Sequence, residues 1–305
     1  MNPPAVTIAP DEPAQIRARL DALGLNGIFD VHTHFLPTRM LDKVWAYFDA
    51  VGPFTGRPWP IAYRHSEEER LRVLRGLGVR RFSALTYPHK AGMAAWLNEW
   101  GAEFAADKPD CLHSATFFPE PGAGDYVREA IEAGARIFKA HVQVGDYDPG
   151  SPLLDPVWEE LSQSRTPLVI HAGHGPAPGR FTGPAGIEAL LQRYPDLVLI
   201  VAHMGLPDYG RFLDMVEKYD GVHLDTTMAF TAFTEESAPF PAAELPRLGA
   251  LGDRVLFGSD FPNIPYPYLE AVDAVLGLGL GDQWARGVLH DNAARLFGSW
   301  RSLDL

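Results

Sequence analysis

The chain has 305 residues, of which 46% are hydrophobic and 21% are charged, a composition typical of a soluble globular protein. Its formal net charge of −13 disfavours nucleic acid as a partner, because an acidic surface repels phosphates. The single cysteine, Cys111, excludes a disulfide within the chain and indicates a reducing compartment. The sequence has neither a basic leader nor a long apolar run, so we expect a cytoplasmic protein that does not contact a membrane.

Short apolar runs alternate with amphipathic stretches after a short first helix over residues 14–23. The predicted strands cover residues 27–34, 80–87, 112–119, 135–143, 167–172, 197–203, 222–227 and 254–259. The predicted helices cover residues 67–77, 91–106, 125–133, 155–163, 183–193, 209–218, 242–248 and 268–276. Eight strands alternating with helices predict an α/β fold, a (β/α)8 TIM barrel formed as one domain over residues 1–305.

Two segments are too long to be simple connections. Residues 35–66 are rich in proline, glycine and aromatic residues, and residues 228–241 form the second segment. Both follow strands, so in a barrel both are long loop insertions on the C-terminal face, where active sites lie. We interpret them as pocket walls or lids.

Polar side chains stand at the ends of several predicted strands. His32 and His34 are two residues apart, so both point to the same side of the first strand. His171, His203 and Asp260 end the fifth, sixth and eighth strands, where a barrel carries its catalytic groups. The His-x-His pair alone fits core packing about as well as metal binding. Together with the other strand ends, it predicts a site for zinc or a similar divalent metal.

These positions resemble the motifs of the amidohydrolase superfamily, most closely the branch that contains aminocarboxymuconate-semialdehyde decarboxylase and the amidohydrolase 2 hydrolases. The resemblance extends over residues 28–297. It rests on Asp30-Val31-His32-Thr33-His34, His171, Ala202-His203-Met204-Gly205, Gly258-Ser259-Asp260-Phe261-Pro262 and the closing segment 289–297.

The resemblance implies that His32, His34, His171 and Asp260 bind the metal, most simply Zn²⁺. It implies two catalytic residues. Asp260 would also act as a base toward the attacking water, and His203 would polarise the substrate or help to activate the water. In relatives with two metal ions, the residue corresponding to His203 binds the second ion instead.

The fourth strand leaves the number of metal ions open. Lys139 and His141 share a face of this strand that we expect to point inward. In binuclear relatives a lysine at this place is carbamylated and bridges two ions. In mononuclear relatives a lysine or histidine there contacts the substrate or supports the metal ligands. We favour one ion and keep two as the alternative.

Other polar residues follow strands on the same face of the barrel. His174 and Arg180 lie in the loop after the fifth strand, where Arg180 could bind a substrate carboxylate through its planar fork, and His89 follows the second strand. We consider all three as substrate-binding candidates, although a plain surface loop would also explain them. His113 and His223 begin strands, so we expect structural roles for both.

The leading functional hypothesis is a metal-dependent hydrolase of an amide, lactam, lactone or ester bond in a small molecule. The alternative is a non-oxidative decarboxylase that uses the same metal site. Several aromatic-acid decarboxylases that resemble this chain have a glutamate in place of the first histidine, so the presence of His32 favours hydrolysis. A third hypothesis is a catalytically inactive binding barrel. A homodimer is the default expectation for assembly.

Overall fold

The computed structural model describes residues 6–50, 52, 56–176 and 178–298. The strands are β1 (Ile28–Asp30), β2 (Val79–Ser83), β3 (Cys111–Leu112), β4 (Ser114–Thr116), β5 (Ile137–His141), β6 (Leu168–His171), β7 (Leu199–Val201), β8 (Val222–Asp225) and β9 (Val255–Leu256). The α-helices are Glu12–Ala22, Thr38–Ala50, Glu67–Gly76, Ala94–Ala106, Ala123–Glu132, Val142–Gly145, Asp155–Ser164, Pro184–Arg193, Tyr209–Lys218, Ala232–Glu235, Leu245–Ala250, Tyr268–Gly277, Asp282–Arg286 and Asn292–Phe297. None of the helices in these described ranges is long and apolar enough to cross a membrane.

All strand pairs are parallel, and they form two sheets, β1-β2-β3 and β4-β5-β6-β7-β8-β9. β3 and β4 are separated only by His113, so together they occupy one strand position of the predicted barrel. At the other edges of the sheets, Val31 N donates to Phe257 O at 2.9 Å, and Thr33 forms a bridge with Phe261. The chain therefore has eight strand positions in sequential order and the predicted TIM-barrel fold.

Each predicted strand overlaps a strand of the structure, but regular pairing ends earlier than predicted. β1 ends at Asp30, β7 ends at Val201 and β9 ends at Leu256. In each case the site residue follows in irregular backbone, and His203 lies in a 3₁₀ turn with φ of 55°. His171, by contrast, is the last residue of β6, so the site combines residues of regular strands with residues of irregular backbone.

The two long insertions contain helices that the sequence did not predict. Thr38–Ala50 lies within the first insertion, and Leu41 is its only buried residue. The second insertion contains Ala232–Glu235, capped by a 3.3 Å hydrogen bond from Thr234 N to Thr231 Oγ1. The helix predicted at 242–248 is a 3₁₀ turn followed by Leu245–Ala250, because a proline is favoured in the first helical turn and Pro246 starts a new helix.

An apolar cluster lies on the N-terminal side of the barrel interior. It includes Ile137 and Val169, which share a strand face with Lys139 and His171, respectively. The last helix contributes Phe297, whose ring stacks on Phe29 with 5.5 Å between the centroids. This cluster supports the polar site from below.

The first helix is attached to the barrel by a buried carboxylate. Glu12 is 2% exposed and accepts hydrogen bonds from Tyr63 Oη at 2.9 Å and from Leu269 N at 2.9 Å. Tyr63 Oη in turn accepts from Tyr268 N at 2.7 Å. One phenol therefore connects the first helix, the first insertion and the helix Tyr268–Gly277.

Replacing Tyr63 with phenylalanine should destabilise the protein by about 1–3 kcal/mol, because the buried carboxylate of Glu12 loses a donor. Urea denaturation would measure the loss. Tyr47→Phe is the matched control, since Tyr47 is 57% exposed and its change should stay within about 0.5 kcal/mol. Equal effects of the two substitutions would contradict the role of the Glu12 contact.

His223 should make stability depend on pH. Burial and, to a smaller extent, the charge of Arg254 lower the pKa of His223 to about 4. An unfolded histidine titrates near ~6.5, so the unfolded chain binds more protons between these values and stability falls as pH falls through this window. The unfolding free energy of the wild type minus that of His223→Gln should therefore decrease from pH 7 to pH 4.5. A constant difference in urea denaturation would show that His223 does not contribute.

Candidate metal centre

His32 and His34 face the centre of the barrel with their rings oriented by buried acceptors. His32 Nδ1 lies 2.8 Å from Asp225 Oδ2, and His34 Nδ1 lies 2.9 Å from Leu85 O. A carboxylate and a carbonyl can only accept, so each Nδ1 carries the hydrogen. The lone pair of each imidazole is then on Nε2, and both Nε2 atoms face Asp260, as in metal-binding histidines.

Asp260 completes a group of three potential ligands. Its Oδ1 lies 2.9 Å from His34 Nε2 and 3.6 Å from His32 Nε2. With both Nδ1 atoms committed as donors, a carboxylate oxygen and two nitrogen lone pairs face one another. Such a set of acceptors is stable only around a cation or with an added proton. The three residues therefore fit a divalent metal, and their ligand atoms all lie within 4.8 Å of one another.

The other two predicted histidines stand beside this group. The ring of His203 lies 5.4 Å from that of His32 and 4.8 Å from that of His171, measured between centroids. His171 is paired in register with His141, and their rings stack at 4.2 Å. Burial and neighbouring cationic groups hold the pKa of His171 and of His141 well below the usual value, so both rings are neutral. The compact group itself does not include His171.

Lys139 points into the same centre and is fully buried. Its Nζ lies 3.0 Å from His32 Nε2. Burial lowers the pKa of Lys139 to about 8, while the charges of Asp225 and Asp260 act in the opposite direction. The lysine donates to the lone pair that a metal would use, so a metal on His32 requires this side chain to move or to be modified.

Asp225, at the end of β8, is a site residue that the sequence analysis missed. Besides His32 Nδ1, it accepts hydrogen bonds from His203 N at 2.9 Å and Thr227 N at 3.1 Å. Burial alone would raise its pKa, but the contacts with His32 hold the pKa below its usual value, so Asp225 is ionised. The signal was available, because Asp225 ends an apolar strand just as Asp260 follows one.

Asp30 fastens β1 to the segment that carries Asp260. It accepts hydrogen bonds from Ser259 Oγ at 2.6 Å, Tyr268 Oη at 2.8 Å and the backbone N of Ser259 and His32, both at 3.1 Å. Burial raises the pKa of Asp30 to about 7, although the hydrogen bonds from Ser259 and Tyr268 oppose this effect. Asp30 was part of the sequence motif, and the structure gives it this positioning role.

Two site residues hold strained backbone conformations. His203 has φ of 55° and Asp260 has φ of 71°. Positive φ costs a residue other than glycine about 1–3 kcal/mol, and such strain clusters at functional sites. Gly258, two residues before Asp260, has no room for a side chain, since a Cβ there would lie 2.2 Å from Thr227 Oγ1 and 2.8 Å from His32 Cβ.

A cavity of about 530 Å³ opens onto the metal candidates. Lys139, His141, His171, His203 and the loop residue His89 line it, as do side chains from one face of the helix Thr38–Ala50. These are Met40, Lys43, Val44, Tyr47 and Phe48. This part of the first insertion therefore forms a pocket wall, and the volume suits a small molecule.

The two candidates in the loop after β6 lie elsewhere. His174 lines a second, smaller cavity, and its Nδ1 lies 2.7 Å from Asp208 Oδ2. Arg180 is exposed, stacks on Phe181 at 4.9 Å and lines neither of these two cavities. The structure therefore does not bring Arg180 into the pocket.

Comparison with known proteins agrees with this architecture. A family model described as Amidohydrolase matches residues 29–299, so the chain belongs to the amidohydrolase family of enzymes. A search of curated protein sequences finds no match.

Three solved structures illustrate the shared fold. An uncharacterised TIM-barrel protein from Bordetella bronchiseptica has a TM-score of 0.71 at 20% identity, covering 88% of this chain and 98% of that chain. A protein from Pseudomonas putida, assigned as a 2-pyrone-4,6-dicarboxylic acid hydrolase, has a TM-score of 0.61 at 16% identity, covering 91% and 99%. A 5-carboxyvanillate decarboxylase from Novosphingobium aromaticivorans, complexed with manganese, has a TM-score of 0.59 at 16% identity, covering 90% and 97%.

Asp225→Asn should lower metal affinity by about 10–100-fold. The side-chain oxygen of the asparagine can still accept from His203 N and Thr227 N. Its NH₂ group then faces His32 Nδ1 in place of the carboxylate oxygen. Nδ1 must then accept, and the proton moves to Nε2, where it blocks the metal. Competition with a chelator would measure the affinity.

The matched control for this substitution is Asp208→Asn, which changes a carboxylate paired with His174 in the other cavity. Its metal affinity should equal that of the wild type. Unchanged affinity in Asp225→Asn would show that Asp225 does not set the tautomer of His32.

Proposed function

We propose that this chain is a metal-dependent hydrolase that cleaves an amide, lactam, lactone or ester bond in a small molecule. The observation that carries the proposal is the 2.9 Å approach of His34 Nε2 to Asp260 Oδ1, two acceptors at the base of a cavity large enough for a substrate. We propose His32, His34, His171 and Asp260 as ligands of one divalent ion, with Zn²⁺ the first choice. A bound divalent ion would polarise a carbonyl group and lower the pKa of water toward neutrality.

The residues of the chain have separate roles in this proposal. Asp260 accepts the proton of the attacking water, because its carboxylate is ionised and next to His34. Burial lowers the pKa of His203, which supports a neutral ring that donates a hydrogen bond to the carbonyl oxygen of the substrate. Asp225 holds the backbone N of His203 at 2.9 Å, which keeps the ring at the wall of the cavity. Lys139 and His141 contact the substrate from β5.

The position of Arg180 removes one observation that would have favoured decarboxylation. Arg180 was a candidate partner for a substrate carboxylate, and it lies exposed outside the cavity. Lys43 and Lys139 do line the cavity, so the preference for hydrolysis rests on the presence of His32 as the first histidine of the motif. The neighbouring decarboxylase shares the fold at 16% identity, and its reaction is a property of that protein.

The wild-type protein should contain a stoichiometric divalent metal and hydrolyse at least one member of a panel of small amides, lactams, lactones and esters. Removal of the metal by a chelator should abolish turnover, and Zn²⁺ should restore it. Asp260→Asn should lower kcat/KM by about 10²–10⁴-fold, as loss of a general base does. His32→Ala should lose both the activity and the bound metal, because it removes a proposed ligand. Elemental analysis and product identification would check these outcomes.

The exposed carboxylate variant Asp253→Asn is the control and should keep both metal and activity. Release of carbon dioxide from a carboxylic acid without hydrolysis would identify a decarboxylase. Metal binding without turnover of any panel member would favour the inactive binding barrel. Retention of metal and full activity in both His32→Ala and Asp260→Asn would exclude the proposed site.

A further inference from the structure

A smaller cavity adjoins the larger one at His203. Its volume is about 160 Å³, and both cavities have Trp59, Pro176, His203 and Met228 in their walls. The compact metal-ligand candidates line only the larger cavity. A molecule whose reacting bond lies at His203 would therefore extend into both cavities, with one part in each.

The smaller cavity has the size of one ring. An engineered protein cavity of about 150 Å³ binds benzene, so a volume of about 160 Å³ accommodates roughly six or seven heavy atoms. Its apolar surface comes partly from Trp59 and Phe233, whose rings meet edge to face at 4.9 Å. These rings suit contact with a flat, apolar group.

Arg57 and His174, in the wall of this cavity, already have acidic partners. Arg57 Nη1 lies 2.8 Å from Glu236 Oε2, and the guanidinium stacks on Phe233 at 3.4 Å. His174 Nδ1 lies 2.7 Å from Asp208 Oδ2. Because the guanidinium has a carboxylate partner and the Nδ1–H of His174 has an acceptor, the cavity favours an uncharged group over an anion or a cation.

His174 provides a hydrogen-bond acceptor of defined position. Asp208 Oδ2 also accepts from His174 N at 3.0 Å, which fixes the residue at two points. Since the carboxylate can only accept, Nδ1 carries the hydrogen, so the lone pair of the imidazole is on Nε2. Nε2 lies beside Gly183, and a hydroxyl or amine group that reaches this edge of the ring can donate to it.

We infer that the smaller cavity is a subsite for the leaving group of the substrate, an uncharged, ring-sized alcohol or amine held by His174. The inference rests on the proposed hydrolysis. In that reaction the water oxygen bonds to the carbonyl carbon, the bond from this carbon to the leaving oxygen or nitrogen breaks, and a proton of the water passes to the leaving atom. The product alcohol or amine therefore carries the donor that His174 accepts.

Phenol is a suitable probe, because it has one ring and one hydroxyl donor, and its binding needs no turnover. Calorimetric titration should detect phenol binding to the metal-loaded wild type, and a crystal soaked with phenol should show it in the smaller cavity. Ala238→Leu fills the wall of this cavity and should weaken phenol binding at least tenfold. Ser237→Leu is a second filling variant in case the first perturbs folding.

His174→Phe tests the hydrogen bond separately from the volume. It should weaken phenol binding about three- to tenfold, the loss expected for one hydrogen bond, while the binding of toluene stays the same. The inference is overturned if phenol fails to bind, lies only in the larger cavity, or binds the filled variants as tightly as the wild type. These outcomes leave metal-dependent hydrolysis by the wild type unaffected, so the two proposals fail separately.

The same inference can be tested by kinetics, with kcat/KM measured for the phenyl and methyl esters of one acid. Each variant is compared with the wild type on the same ester, so the intrinsic reactivity of the ester cancels. Ala238→Leu should lower kcat/KM at least tenfold for the phenyl ester and less than twofold for the methyl ester. Val44→Trp, in the larger cavity, should change both esters by the same factor. Equal losses for both esters in Ala238→Leu would overturn the assignment.

Discussion

The hydrogen bonds between residues 31–34 and 257–261 are the constraint on which the site depends. Val31 N donates to Phe257 O, Asp260 N donates to His32 O at 2.9 Å, and His34 N donates to Phe261 O at 2.7 Å. These bonds join the first strand position to the last, and Asp30 reinforces the junction from below. Because they fix the backbone on both sides, the two histidines and Asp260 meet although Asp260 lies 226 positions after His34 in sequence.

This junction accumulates polar groups that would be costly if left unpaired. Asp30, Asp225 and Asp260 are all buried, as are Lys139 and His32. Burial of a charge is tolerated only where partners satisfy it, and here Asp30 and Asp225 accept hydrogen bonds from backbone N–H groups. Lys139 donates to His32 Nε2, and the remaining conflict, between His34 Nε2 and Asp260 Oδ1, is one that a cation would resolve. The polar centre is thus built for a ligand, and the apolar cluster beneath it supports the barrel.

The two insertions form part of the wall of the cavity next to the candidate metal ligands. The helix Thr38–Ala50 turns the face that carries Met40, Val44 and Phe48 toward the larger cavity. Arg57, from the same insertion, contacts Phe233 and Glu236 of the second insertion and so connects the two walls. The ends of the strands carry the candidate metal ligands, whereas the insertions shape the adjoining cavity.

The sequence predicted the order of strands and helices and several site residues, because these features depend on patterns among neighbouring residues. Alternation of apolar runs with helices predicted the barrel, and the His-x-His spacing put both imidazoles on one side of β1. The helix at 38–50 was missed although Met40, Val44 and Phe48 recur at helical spacing, because the prolines and glycines elsewhere in residues 35–66 favoured a loop. The helix predicted at 242–248 is divided into a 3₁₀ turn and a helix from Leu245, because Pro246 lies in the first turn of the second element.

The tertiary structure decided which side chains from different strands meet at the site. The sequence alone determined the fold and the residue types at the strand ends, since periodicity and strand position follow from neighbouring residues. It could not determine that Asp225 orients His32, that Lys139 reaches His32 Nε2, or that Arg180 lies outside the pocket. These relations join residues far apart in the chain, and they rest on distances and backbone angles, such as the positive φ of His203 and Asp260, that exist only after the barrel has formed.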